Sequence, residues 1–124
     1  MNHILVVDDE PQVRAMLSLF LRKSGFEVSV AEDGEEAMKI VAALPVDLIV
    51  LDLIMPGKEG LETIMALRKS GHAPKVIAVS GGAKTVSTDF LPVAQKLGAD
   101  AILKKPFRNE ALLQTIHELL PGAD

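Results

Sequence analysis

Two hydrophobic periodicities alternate along this chain. "ILVV" (4–7), "LIVL" (48–51), "VIAV" (76–79) and "AIL" (101–103) are short apolar runs rich in β-branched residues, as expected of strands covered on both faces. "FEVSV" (26–30) differs, because Phe26, Val28 and Val30 alternate with Glu27 and Ser29. That pattern predicts a strand with one wet face, at the edge of a sheet.

Between the strands, apolar residues recur at helical spacing. Val13, Leu17, Phe20 and Leu21 form a stripe that starts just after Pro11, a residue suited to a first helical turn. Ala37, Ile40, Val41 and Leu44 form a second, with Asp33 placed to cap it and Glu35 and Glu36 favourable to its dipole. Leu61, Ile64 and Met65 mark a third, closed by Gly71. Phe90, Val93, Ala94 and Leu97 mark a fourth, which Asp89 is placed to cap; Pro92 requires that helix to begin near residue 90. Leu112, Leu113, Ile116, Leu119 and Leu120 form the fifth, stopped by "PG". Repeated strand-then-helix units predict an α/β fold: one five-stranded parallel sheet, with right-handed crossovers and helices on both faces. In such a sheet the ligand crevice lies beyond the carboxyl ends of the strands.

The residues that follow the strands therefore carry the chemistry. After the first come Asp8, Asp9 and Glu10; after the third, Asp52; after the fourth, Ser80 with Gly81 and Gly82; after the fifth, Lys104, Lys105 and Pro106. Taken singly, each has a structural reading: Asp9 as a helix cap, Asp52 as a solvated strand-end acid, Ser80 as a turn residue, Lys105 as a surface lysine. Taken together they do not. Carboxylates about 4–5 Å apart repel by roughly 3–4 kcal/mol per pair at an effective dielectric near 20, so such a cluster calls for a cation or a proton. A hard divalent ion with oxygen ligands, Mg²⁺ by preference, is the natural relief. One carboxylate of the cluster can then act as a nucleophile toward phosphorus, with the metal and Lys105 neutralising the transferred group.

Composition narrows the alternatives. A chain of 124 residues fits one domain, and a net charge of −4 with no basic run does not suit a phosphate-backbone binder. Absent cysteines exclude disulfides and thiolate metal sites and suit a reducing compartment, and acids by residue 8 exclude a signal-peptide core. "GGAKT" is not a nucleotide-binding loop, because Ala78 and Ala83 occupy both required glycine positions. His3, His72 and His117 lack the helical-bundle context of a relay histidine and read as solvated side chains.

In order and spacing, "ILVVDDE", "DLIVLDLIMPGKEG", "VIAVSGG" and "LGADAILKKPF" resemble the receiver domain of two-component response regulators, over essentially the whole chain. The resemblance implies a flavodoxin-like sheet of order 2-1-3-4-5 with five helices, and a single receiver domain over residues 1–124 with no output domain. It implies that Asp52 accepts a phosphoryl group from a histidine kinase or histidine phosphotransfer protein. Asp9 and Asp52 would hold Mg²⁺ directly and Asp8 largely through water, with the backbone carbonyl of Ile54 as a further ligand. Ser80 and Lys105 would contact the phosphoryl group, and the Lys105–Pro106 bond would be cis. A cytoplasmic switch follows, binding an unidentified downstream protein, able to form homodimers, and engaging neither nucleic acid nor membrane.

The sequence departs from the family in three places. Ile102 stands where an aromatic ring is usual, and Lys58 where methionine is frequent. The Gly-, Ser- and Thr-rich "SGGAKTVSTDF" is long, which shifts the expected response from a ring at position 102 to residues 81–89 and the start of the fourth helix. A dehalogenase-type phosphohydrolase would need a second acid two residues beyond Asp52, where this chain has Ile54.

Overall fold

A computed structural model of the chain describes residues 2–53, 59–80 and 90–121. Strands β1 (His3–Val7), β2 (Glu27–Ala31), β3 (Leu48–Asp52), β4 (Lys75–Ser80) and β5 (Ala101–Lys104) alternate with helices α1 (Pro11–Lys23), α2 (Gly34–Ala43), α3 (Glu59–Lys69), α4 (Phe90–Leu97) and α5 (Asn109–Leu119). The strands form one parallel sheet in the order β2-β1-β3-β4-β5, as the sequence implied.

Burial explains why the central strands are uninterrupted apolar runs. Alternate residues of β1, β3 and β4 serve two cores, one on each face of the sheet. Leu5, Val7, Ile49, Leu51, Val76 and Ala78 pack with Ala37, Val41, Ile64, Leu67 and Ala94, from α2, α3 and α4. Ile4, Val6, Leu48, Val50, Ile77 and Val79 pack with Leu17, Leu21, Leu112 and Ile116, from α1 and α5. No helix among the described residues is long and apolar enough to cross a membrane.

The edge strands need correction in detail. Phe26, just before β2, and Val28 within it are buried as the alternation requires, but Val30 is exposed and Ala31 is the residue that turns inward to the opposite core. On β5, which carries an inside-looking sequence, burial alternates and Ile102 is exposed, on the strand that ends the sheet. Three helix positions in the predicted stripes, Leu44, Met65 and Val93, are also exposed. Leu44 falls on the C-cap of α2, and Leu67 takes the core place assigned to Met65.

Local signals set the helix ends. Pro11 opens α1, and Asp33 caps α2 by accepting from the Glu36 amide at 2.8 Å, while Glu36 accepts from the Glu32 amide at 2.8 Å. Helix α4 starts at Phe90, which leaves Pro92 within its first turn. At the far end of the sheet, Arg68 ties α3 to two loops, donating to the carbonyls of Pro74 at 3.0 Å and Gly98 at 2.7 Å.

Candidate functional site

The site is assembled where β1, β3, β4 and β5 end. β1 delivers Asp8, which is 3% exposed although it carries a carboxylate. Its oxygens are individually held. Oδ1 accepts from the Glu10 amide at 2.9 Å, Oδ2 from the Lys105 ammonium at 3.1 Å, and the main-chain carbonyl from Arg14 Nη1 at 2.8 Å. Asp9 is exposed. It does not cap α1, because Glu10 occupies that position and makes no side-chain cap bond.

Asp52 is the last residue of β3 and lies beside Val79 in the ladder. It is buried, at 4% exposure, and Lys105 Nζ lies 3.5 Å from its Oδ2. Ser80 ends β4, also buried, and its carbonyl accepts from the Lys105 amide at 2.8 Å. Backbone pairing thus places Lys105 beside Ser80 while its side chain reaches Asp8 and Asp52. Burial pulls the Lys105 pKa down, but the Asp52 and Asp8 carboxylates, the Asp8 hydrogen bond and Glu10 outweigh that, leaving it above the ordinary 10.5. The Lys105–Pro106 peptide is cis.

One carboxylate oxygen from each of Asp8, Asp9 and Asp52 lies within 4.8 Å of the others. The donors are all hard oxygens, with no imidazole or thiolate among them. Two are buried and one, Asp9, opens the cluster to solvent, where a bound ion can keep part of its water shell. This donor set fits Mg²⁺ better than a softer transition metal.

A family model for the response regulator receiver domain matches residues 4–117. The chain belongs to that family. The receiver is 36% identical over 120 residues to the transcriptional regulatory protein CpxR of Escherichia coli, covering 97% of this chain and 50% of CpxR. It is 37% identical over 119 residues to the DNA-binding response regulator MtrA of Mycolicibacterium smegmatis, again 96% of this chain and 50% of the relative. It therefore spans about half the length of the curated relatives it matches. Among solved structures, it resembles the chemotaxis protein CheY4 of Vibrio cholerae, with a TM-score of 0.85 and 30% identity, covering 96% of this chain and 98% of that one. It also resembles the response regulator TrrA of Thermotoga maritima in complex with Mg²⁺-BeF, with a TM-score of 0.80 and 36% identity, covering 96% and 99%.

The receiver fold accounts for how the predicted residues meet. Asp8, Asp9, Asp52 and Lys105 converge through side-chain atoms, and Ser80 flanks them through the backbone of β5. Ile54, Lys58 and the segment 81–89 lie outside the described residues. Ile102 and Lys104 share the outward face of β5, opposite Leu103 and Lys105, as strand alternation requires. His3 departs from the solvated reading, since its Nε2 lies 2.7 Å from Ser29 Oγ. Sequence reasoning missed Arg14, whose link to Asp8 joins residues six apart across the start of α1. The one signal available was Pro11, which deprives that turn of an N–H donor.

Proposed function

We propose that this receiver accepts a phosphoryl group on Asp52 from a histidine kinase or histidine phosphotransfer protein, and that the modification changes which protein it binds. The observation that carries the reading is the convergence of three carboxylates within 4.8 Å of one another with a lysine ammonium shared between two of them. No packing need explains that arrangement, whereas a transferred phosphoryl group uses every part of it.

In the proposed reaction an Asp52 carboxylate oxygen attacks phosphorus, the N–P bond of the donor phosphohistidine breaks, and imidazole leaves with the electron pair. The product is an aspartyl phosphate. Asp8, Asp9 and Asp52 would hold Mg²⁺, with the Ile54 carbonyl as a further ligand. Bound there, Mg²⁺ supplies charge neutralisation for the phosphoryl oxygens. Lys105 exchanges its Asp52 contact for a phosphoryl oxygen, and the Ser80 hydroxyl donates to another. The receiver assists its own modification and turns over no separate substrate.

Exposed apolar residues support protein partners. Met16 and Leu19 stand out from α1, at 52% and 57% exposure, and Val93 and Ile102 stand out from α4 and β5. With a net charge of −4, residues 1–124 are read as one signalling domain that binds protein rather than nucleic acid, in the cytoplasm, with homodimer formation compatible. A shuttle or sink in a phosphorelay uses the same site, and transfer assays in both directions separate it from a switch.

The test is direct. Acetyl phosphate with Mg²⁺ should add one phosphoryl group to the protein by intact mass, and Asp52→Asn should abolish the addition. Labelling of that variant at wild-type yield overturns the assignment.

A further inference from the structure

The Asp8 carbonyl sits at an awkward place in the chain. It leaves β1 one residue after the ladder ends, and the backbone then turns into α1. A β-turn at this point would draw the donor for such a carbonyl from the amide three residues on. Here that residue is Pro11, which has no N–H. The helix itself starts later, with Val13 and Arg14 donating to the Glu10 carbonyl, both at 3.1 Å. Among the described residues, no backbone amide is seen to take that place at the Asp8 carbonyl, which lies under a buried carboxylate. Arg14 supplies the missing donor. Helical side chains lean toward the N-terminus, so from the second turn of α1 its guanidinium reaches back and donates Nη1 to Asp8 O at 2.8 Å.

We infer that Arg14 is a positioning residue for the phosphorylation site: it holds the Asp8–Asp9 segment in the geometry that Mg²⁺ binding needs. The inference rests on the acidic cluster being the Mg²⁺ site proposed above. Three carboxylates within 4.8 Å push one another apart, and the tightly held backbone of Asp8 opposes that separation. Arg14 does this without taking a carboxylate oxygen, because its bond goes to the carbonyl. The Asp8 carboxylate stays with Lys105 and the Glu10 amide, and Asp9 stays directed to solvent and to an incoming ion.

Position and charge predict opposite signs, which makes the inference testable. If Arg14 acted only as a nearby cation it would repel Mg²⁺, and removing it would tighten binding. If it positions the ligands, removing it weakens binding, by the tenfold or more typical of groups that orient metal ligands. Mg²⁺ titrations of the full chain should therefore give about tenfold weaker affinity for Arg14→Met and for Arg14→Gln, whose amide is too short to reach. Arg14→Lys, which keeps a long donor, should recover most of the loss. Without metal, hydrogen exchange at the Glu10 amide, which is bonded to Asp8 Oδ1, should accelerate in Arg14→Met while circular dichroism stays unchanged. Unchanged or tighter Mg²⁺ binding in the Met and Gln variants overturns the inference. Asp9→Ala is the control. If it also binds Mg²⁺ normally, the metal site itself is misassigned; if it loses binding while the Arg14 variants keep it, only the role of Arg14 fails.

Discussion

Replacing Lys105 with methionine isolates the electrostatics of the site, because the apolar stem is nearly preserved and only the ammonium is lost. Its Nζ lies 3.1 Å from Asp8 and 3.5 Å from Asp52, so at an effective dielectric near 20 each attraction is about 5 kcal/mol gross. At separations up to 4.8 Å, the Asp8–Asp52 repulsion is about 3–4 kcal/mol on the same scale. Contributions from Asp9 are smaller, since that residue is exposed and screened by salt. The ammonium thus turns a repulsive pair of buried carboxylates into an attractive triad. Most of the gross energy is offset by desolvation, and breaking a buried ion pair typically costs about 3–5 kcal/mol. Lys105 is 24% exposed, so water replaces part of what it supplies, and a loss of about 2–3 kcal/mol is expected. The assay is urea unfolding in EDTA and again in Mg²⁺. Lys105→Met should lose that amount in EDTA, a Tm drop of roughly 10 °C. In Mg²⁺ the deficit should shrink, because the ion no longer competes with an ammonium and stabilises the variant more than the wild type. The pH dependence has a fixed sign. The Lys105 pKa is raised on folding, so its contribution is complete below the unfolded value near 10.5 and is lost as pH rises through the folded value. The difference between wild type and variant should therefore be constant between about pH 7 and 9 and close only above about pH 10.5. A variant within 0.5 kcal/mol of wild type in EDTA, or one that Mg²⁺ stabilises less than wild type, refutes the reasoning.

Two further substitutions probe the same region. Asp9→Ala should bind Mg²⁺ substantially more weakly, yet unfold at no lower temperature in EDTA, because it removes a ligand and a like charge together; a lower melting temperature without metal would contradict the repulsion argument. Gly60→Ala places a Cβ 2.7 Å from Leu53 Cα and 3.1 Å from the Asp52 carbonyl, so α3 must move off the end of β3. Overpacking of about 1–3 kcal/mol should outweigh the roughly 1 kcal/mol gain in helix propensity, giving a net loss in urea unfolding and slower labelling by acetyl phosphate; a more stable variant would show that α3 yields freely.

The sequence by itself determined the element order, the parallel sheet and the set of residues at the carboxyl ends of the strands. It could do so because those features are written locally: a period of two or 3.6, a proline at a helix start, an acid after an apolar run. The convergence of Asp8, Asp52 and Lys105 at one end of the sheet was legible from the strand-then-helix order, but the contacts that Lys105 makes with both carboxylates were not, since Asp8 and Lys105 lie 97 residues apart and share no local signal. What the tertiary structure decided is which apolar positions are covered. "AIL" reads as a buried strand, yet Ile102 is exposed because β5 ends the sheet, and nothing in three residues says that no neighbour follows. At the opposite edge, Val30, inward by alternation alone, is exposed, while Ala31 beside it is buried. The link from Arg14 to the Asp8 carbonyl also belongs to the fold alone. Proline announces a missing donor, but which side chain replaces it depends on the angle at which α1 leaves β1, and packing of α1 against the sheet sets that angle.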